Sequence, residues 1–281
     1  MKRLWFGLIV CIGLLAACQK ADPSTGIKVG ESPTPVKLTS EAGTVKITIE
    51  ATQPLPTNPP TQLPSPTVSL ISTEVRKALL AYYPLDGDAT DASGNNYNGS
   101  VSGARATQDR FGNSTGALRF DGTNDLIRIP PNPALDLSED FSIGFWINLP
   151  ETAPEGFVIS KHKDLKNDDG SWSLTLLAPD NGLRLTTAPY SDFSYAQTNR
   201  PLKLNQWQCV FVTYKKQDQT WNFYLDNQLN ATGISNFQIG PNDLALIIGA
   251  GYAHSSGFDH HFKGVLDDVY LFKIALYPHE V

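Results

Sequence analysis

From residue 76 to the C-terminus, apolar and polar side chains alternate in short runs. Leu126-Ile127-Arg128-Ile129, Phe141-Ser142-Ile143-Gly144-Phe145-Trp146-Ile147 and Trp172-Ser173-Leu174-Thr175-Leu176-Leu177 show the pattern. Gly182-Leu183-Arg184-Leu185-Thr186, Cys209-Val210-Phe211-Val212-Thr213-Tyr214 and Trp221-Asn222-Phe223-Tyr224-Leu225 repeat it. Period two marks strands with one buried face. Turn signals separate the runs. Pro179-Asp180-Asn181-Gly182 predicts a hairpin turn, because Asn and Gly accept positive φ, and Asp226-Asn227 predicts another. No stretch shows the apolar spacing of an amphipathic helix of about 12 residues. Many short strands with regular turns predict an all-β domain over 76–281, a sandwich or jelly roll.

The first 75 residues follow other rules. Met1-Lys2-Arg3 is positive, and Leu4 to Ala17 is one apolar run. A spanning helix needs about 20 residues, so this run fits a secretory signal peptide over 1–17 better than a membrane span. It ends in Leu15-Ala16-Ala17-Cys18, which resembles the bacterial lipobox. That resemblance implies cleavage before Cys18, acylation of its thiol and a partner in the lipid membrane. The protein is then extracytoplasmic, held on a bacterial membrane or cell surface. The alternative is an ordinary signal cut after Ala17 with an unmodified thiol.

Residues 19–75 contain 9 Pro, 10 Thr and 6 Ser and no aromatic residue. Such a segment cannot bury a core and favours extended polyproline II. With the anchor residue it makes a disordered linker over 18–75. A flexible coil of this length reaches about 40–45 Å, and its Pro-rich parts reach further. Thr44 to Ile49 alternates weakly, but nothing nearby completes a sheet.

Composition sharpens this division. Net charge is −6 with no long basic run, which argues against a nucleic-acid platform. Three cysteines are too few for a disulfide framework. Cys11 leaves with the expected signal, and the lipobox resemblance implies that Cys18 carries lipid. Cys209 remains, inside Trp207-Gln208-Cys209-Val210-Phe211-Val212, where a thiol is expected as a small buried hydrophobe.

The domain's motifs carry a family resemblance. Tyr82-Tyr83-Pro84-Leu85-Asp86-Gly87 is followed by Asp91-Ala92-Ser93-Gly94-Asn95, then by Ala117-Leu118-Arg119-Phe120-Asp121-Gly122. Phe141 to Ile147, Phe223-Tyr224-Leu225-Asp226-Asn227 and Lys263-Gly264-Val265-Leu266-Asp267-Asp268-Val269-Tyr270 complete the series. In order and spacing it resembles a laminin G-like module of the concanavalin A-like superfamily, in its pentraxin-related branch. The resemblance implies a jelly roll of two antiparallel sheets, with first and last strands side by side.

It also implies a structural Ca2+ between the first strands and the last. Asp267 is the leading ligand, with carbonyls around Leu85 and Gly122, and with Asp121 or Asp91 completing the shell. An EF-hand starting at Asp86 fails, because its twelfth position is Tyr97 rather than Glu. Adjacent acids on a buried strand repel unless a cation, a hydrogen bond or solvent relieves them. The alternative has Asp91 and Asp121 capping turns and Asp268 facing solvent.

Catalytic patterns are sparse. Related jelly rolls include glucanases, whose chemistry needs closely spaced carboxylates. The domain has only Glu139, Glu151, Glu155 and Glu280, in no such pattern, although two Asp can do the same work. Asp168-Asp169 reads as a solvated turn. His254, Asp259, His260 and His261 cluster without metal-ligand spacing. A binding surface fits better. Tyr190, Phe193 and Tyr195 place three rings in one loop, and Tyr252, His254 and His260 populate another. Sugar rings present C–H faces to aromatic faces while amides and carboxylates fix their hydroxyls. The expected partner is therefore carbohydrate or a glycosylated or protein surface ligand. A hydrolase or lyase on this fold, and an adhesion protein without a glycan ligand, remain as alternatives.

Overall fold

The structure is a computed structural model that describes residues 73–150, 153–162, 172–187, 195–237, 239–252 and 257–277. Cys18 and the linker up to 72 lie outside the described residues. A short helix α1 (Thr73–Ala78) precedes the first strand. Among the described residues no helix is long and apolar enough to cross a membrane.

Two antiparallel sheets make the domain. The first holds β1 (Leu79–Tyr83), β3 (Arg105–Thr107), β4 (Ala117–Asp121) and β6 (Phe141–Asn148). To these it adds β11 (Trp207–Lys215), β12 (Thr220–Leu225), β13 (Gln228–Ile234) and β17 (Lys263–Phe272). Its order is β13-β12-β11-β6-β17-β4-β3, with β1 also pairing β17. The second holds β2 (Ser100–Ser102), β5 (Leu126–Ile129), β7 (Gly156–Lys161), β8 (Trp172–Leu176), β9 (Leu183–Thr187), β10 (Tyr195–Gln197) and β14 (Leu246–Ile248). It runs β10-β9-β8-β7-β14-β5-β2. A separate pair, β15 (Gly251–Tyr252) and β16 (Phe258–Asp259), follows β14.

The alternation builds the core. Phe141, Ile143, Phe145, Val210, Val212, Phe223, Leu266 and Leu271 of the first sheet meet Ile127, Ile129, Ile159, Trp172, Leu174, Leu185 and Leu246 of the second. Face-to-face sheets stand about 10 Å apart, so one layer from each fills the gap. The hairpin turns take the predicted form, with Asn181 at φ 54° and Asp226 and Asn227 at 49° and 63°. Register runs from Leu79 opposite Phe272 to Tyr83 opposite Val269, so the first and last strands are neighbours as the resemblance implied. Cys209 is free and buried.

Candidate functional site

The outer face of the second sheet is assembled by register. Side chains of directly opposed residues share a face. Tyr195 opposes Thr186, Thr186 opposes Ser173, and Ser173 opposes Ser160. A second row joins Gln197, Arg184, Thr175 and Phe157. Their neighbours along the strands, such as Leu174, Leu185 and Ala196, point into the core. The middle of this face is polar and closed. Ser160 and Ser173 are fully buried, and the Ser160 hydroxyl donates to the Ala250 carbonyl at 2.7 Å.

Two accessible flanks border that centre, about 14 Å apart over three strand spacings. The first lies on β9 and β10. Arg184 Nε and Nη2 both donate to Gln197 Oε1, at 3.0 and 2.8 Å. The guanidinium carbon sits 5.1 Å from the centroid of the Tyr195 ring, within cation–π range. All three residues are half-buried, so the fork is held in place while solvent still reaches it. The second flank stands over β7. Tyr252 packs on Phe258 at 4.9 Å, and Phe157 touches His162 at 4.6 Å and His260 at 5.6 Å. His260 is exposed, with Nδ1 3.0 Å from Asp259 Oδ1.

The expected ligand-binding residues therefore separate. Tyr195 belongs to the first flank; Tyr252 and His260 belong to the second. Tyr190, Phe193 and His254 lie outside the described residues, as does Asp168-Asp169. Tyr195 itself is in strand rather than loop, paired with Thr186. Arg184 and Gln197 were not singled out by sequence. Their signal was their outward parity beside Tyr195, visible only once β9 and β10 are in register.

The expected calcium ligands also separate. Asp91 is buried, and its carboxylate accepts the Tyr82, Ser93 and Tyr97 amides at 2.9–3.0 Å and the Ser93 hydroxyl at 2.9 Å. Those bonds tie the loop after β1 back onto that strand. Asp121 is exposed, accepts the Thr123 amide at 2.7 Å and pairs with Lys263 in register. Four residues further along β17, Asp267 is about 13 Å from that register position. Among the described residues no group of three or more His, Cys, Asp or Glu is placed to hold a metal ion. By register, Asp121 and Asp267 are therefore not placed to share one ion.

Asp267 and Asp268 have another partner, which sequence reasoning missed. Arg110 Nη1 bonds Asp267 Oδ2, and Nη2 bonds Asp268 Oδ2 at 2.6 Å. The Tyr82 hydroxyl donates to Asp268 Oδ1 at 2.6 Å. Asp268 is 5% exposed rather than solvent-facing. Burial, reinforced by the adjacent Asp268 charge, pushes the Asp267 carboxyl up to about 8, against the opposing pull of Arg110.

Comparison with known proteins places this geometry. A family model described as the concanavalin A-like lectin/glucanases superfamily matches residues 121–281. No curated protein matches the chain. Among solved structures, domain 4 of AbnA, a GH43 extracellular arabinanase from Geobacillus stearothermophilus, in complex with arabinotriose, is similar. Its TM-score is 0.54 at 18% identity, covering 72% of this chain and 95% of that one. A botulinum neurotoxin type C structure, described as dependent for cell entry on two ganglioside molecules, has TM-score 0.54 at 19% identity, covering 74% of this chain and 51% of that one. The binding domain of botulinum neurotoxin DC in complex with rat synaptotagmin II has TM-score 0.54 at 16% identity, covering 73% and 51%. At these identities the likeness is one of fold.

Proposed function

The chain belongs to the concanavalin A-like lectin/glucanase superfamily, and from that membership we propose that it is a non-catalytic carbohydrate-binding module displayed on a bacterial surface. The observation that carries the reading is the Arg184–Gln197–Tyr195 arrangement on the outer face of the second sheet. A guanidinium held by an amide beside an accessible ring offers fixed donors for sugar hydroxyls and an apolar surface for C–H groups. Little side-chain freedom is left to lose when a ligand arrives, which favours binding.

Similar structures support the ligand class. One is of an arabinanase domain with arabinotriose, and another concerns ganglioside-dependent entry. A third carries a protein ligand, so a protein surface is a second class of partner to test. Glycoside hydrolysis needs two carboxyl groups about 5–9.5 Å apart across the scissile bond. Among the described residues, the two outward rows that meet Tyr195 and Arg184 contain hydroxyls, an amide, a guanidinium and rings, but no carboxyl pair. That composition favours binding over cleavage.

The N-terminal motifs supply the display. An acylated Cys18 anchors the chain, and the Pro/Thr/Ser-rich linker holds the domain off the lipid surface. All residues of the main core fall between Ala81 and Leu271, so a fragment from Thr73 to the C-terminus contains the whole of it. That fragment, applied to a glycan array, should retain a defined set of saccharides. Tyr195→Ala and Arg184→Gln should each weaken the best hit about ten- to a hundredfold, with an unchanged melting temperature. Retention on protein ligands alone would overturn the carbohydrate reading. Binding lost by Tyr252→Ala but not by these two would move the site to the other flank.

A further inference from the structure

The last strand carries two consecutive acids on one face, which a regular strand forbids. In β17, Leu266 and Val269 are both core residues. Strict alternation would send Asp267 outward and Asp268 inward. A register irregularity between Asp267 and Tyr270 intervenes, and Asp268 takes φ 49°. This is a β-bulge, and Asp tolerates the left-handed conformation better than most residues. Both carboxylates consequently emerge beside Trp146, which opposes Asp267 on β6. Their side chains are only 4% and 7% exposed. Two ionised carboxylates so placed and without counter-charge would be costly to bury.

The counter-charge comes from far along the chain. Arg110 is 157 residues before Asp267, in the turn between β3 and β4. Its own side chain is 6% exposed. The turn is set by Asp109, whose carboxylate accepts the Phe111 and Asn113 amides at 2.8 Å and the Asn113 side-chain amide at 2.6 Å. The guanidinium then enters between two rings, 4.4 Å from Phe111 and 4.7 Å from Trp146. From there one nitrogen reaches each aspartate, and the Tyr82 hydroxyl takes a further oxygen of Asp268.

We propose that Arg110 is the built-in cation of this domain, standing where the family resemblance implied a calcium ion, so that the junction of first and last strands is closed by a side chain rather than a metal. A guanidinium suits the position because its planar fork serves two carboxylates at once. Ca2+ takes six to eight oxygens in its shell. Here Asp91 and Asp121 spend carboxylate oxygens on backbone amides, and the Asp267–Asp268 pair faces a guanidinium instead.

The test is thermal unfolding of the full chain with four variants. The wild type should melt at one temperature in EDTA and in millimolar CaCl2, and calorimetric titration with Ca2+ should show no saturable heat. Arg110→Gln should melt about 6–20 °C lower, because it leaves a buried charge without its partner. Arg110→Lys should recover part of that loss, since it keeps the charge but not the fork. Arg110→Gln combined with Asp268→Asn should be more stable than Arg110→Gln alone, because the orphaned charge has gone. A wild type stabilised by Ca2+ through a site that Asp267→Asn abolishes would overturn the proposal. So would Arg110→Gln melting like wild type, or a double variant no better than the single one. If Arg110→Gln does not fold, the wild-type titration, Arg110→Lys and the double variant still decide.

Discussion

Asp267 is pressed against Asp268 and held by Arg110 in a water-poor corner, and its proton behaves accordingly. Burial first, then the neighbouring charge, lifts its carboxyl from 3.8 to about 8. The sign of the consequence follows from linkage. Between roughly pH 4 and pH 8 the folded chain keeps a proton that the unfolded chain has released. This group therefore favours the folded state most at low pH, and the contribution is lost as pH rises towards 8. Melting temperatures measured at pH 5 and pH 8 should show the decline, and Asp267→Asn should flatten it. Equal slopes in the two proteins would refute the assignment to Asp267. This carboxylate pair also shows what is legible in a sequence at the residue scale. Two adjacent acids on a buried strand announce that some cation is needed. They do not announce which one, because Arg110 lies in an unremarkable Arg-Phe-Gly-Asn turn more than 150 residues away in the chain.

Strands were legible wherever polar and apolar residues alternate, even where both faces are buried, as in β8. β5, β6, β8, β9, β11 and β12 all fall on runs with period-two alternation. β7 and β14 escaped, and for a physical reason. Leu246-Ile247-Ile248 is apolar at every position, so nothing alternates. In β7 the irregularity between Phe157 and Ile159 breaks the parity, and Lys161 at its end is fully buried with Asp136 2.6 Å away. The same blindness hid the outward rows of the second sheet, since Arg184 and Tyr195 become neighbours only through pairing. Within the first sheet, β6 depends on a missing side chain. A Cβ placed on Gly144 would lie 2.5 Å from the Phe211 ring on β11, which it faces in register. Gly144→Ala should cost about 1–3 kcal/mol by overpacking, seen as a lower denaturant midpoint. A midpoint equal to wild type would show that Phe211 can give way.

For the whole molecule, composition changes from a linker without aromatics to a domain that holds every aromatic outside the first 17 residues. If Cys18 carries the anchor, Cys18→Ser should move the protein from the membrane fraction to the soluble fraction. Metabolic labelling with a fatty-acid analogue should disappear with it. Labelling that persists in the variant would remove the basis for the anchor.

The position of β17 has one more effect, on timing. It sits between β6 and β4 and also pairs β1, so three strands made earlier wait for the final one. Leu79 cannot meet Phe272 until the residues that separate them, 80–271, have been synthesised. Pairings of such long sequence separation form slowly, after most of the loop entropy has been spent. A growing chain therefore lacks this central strand until β17 has been made. The first sheet acquires its closed form only after residue 272 has been made.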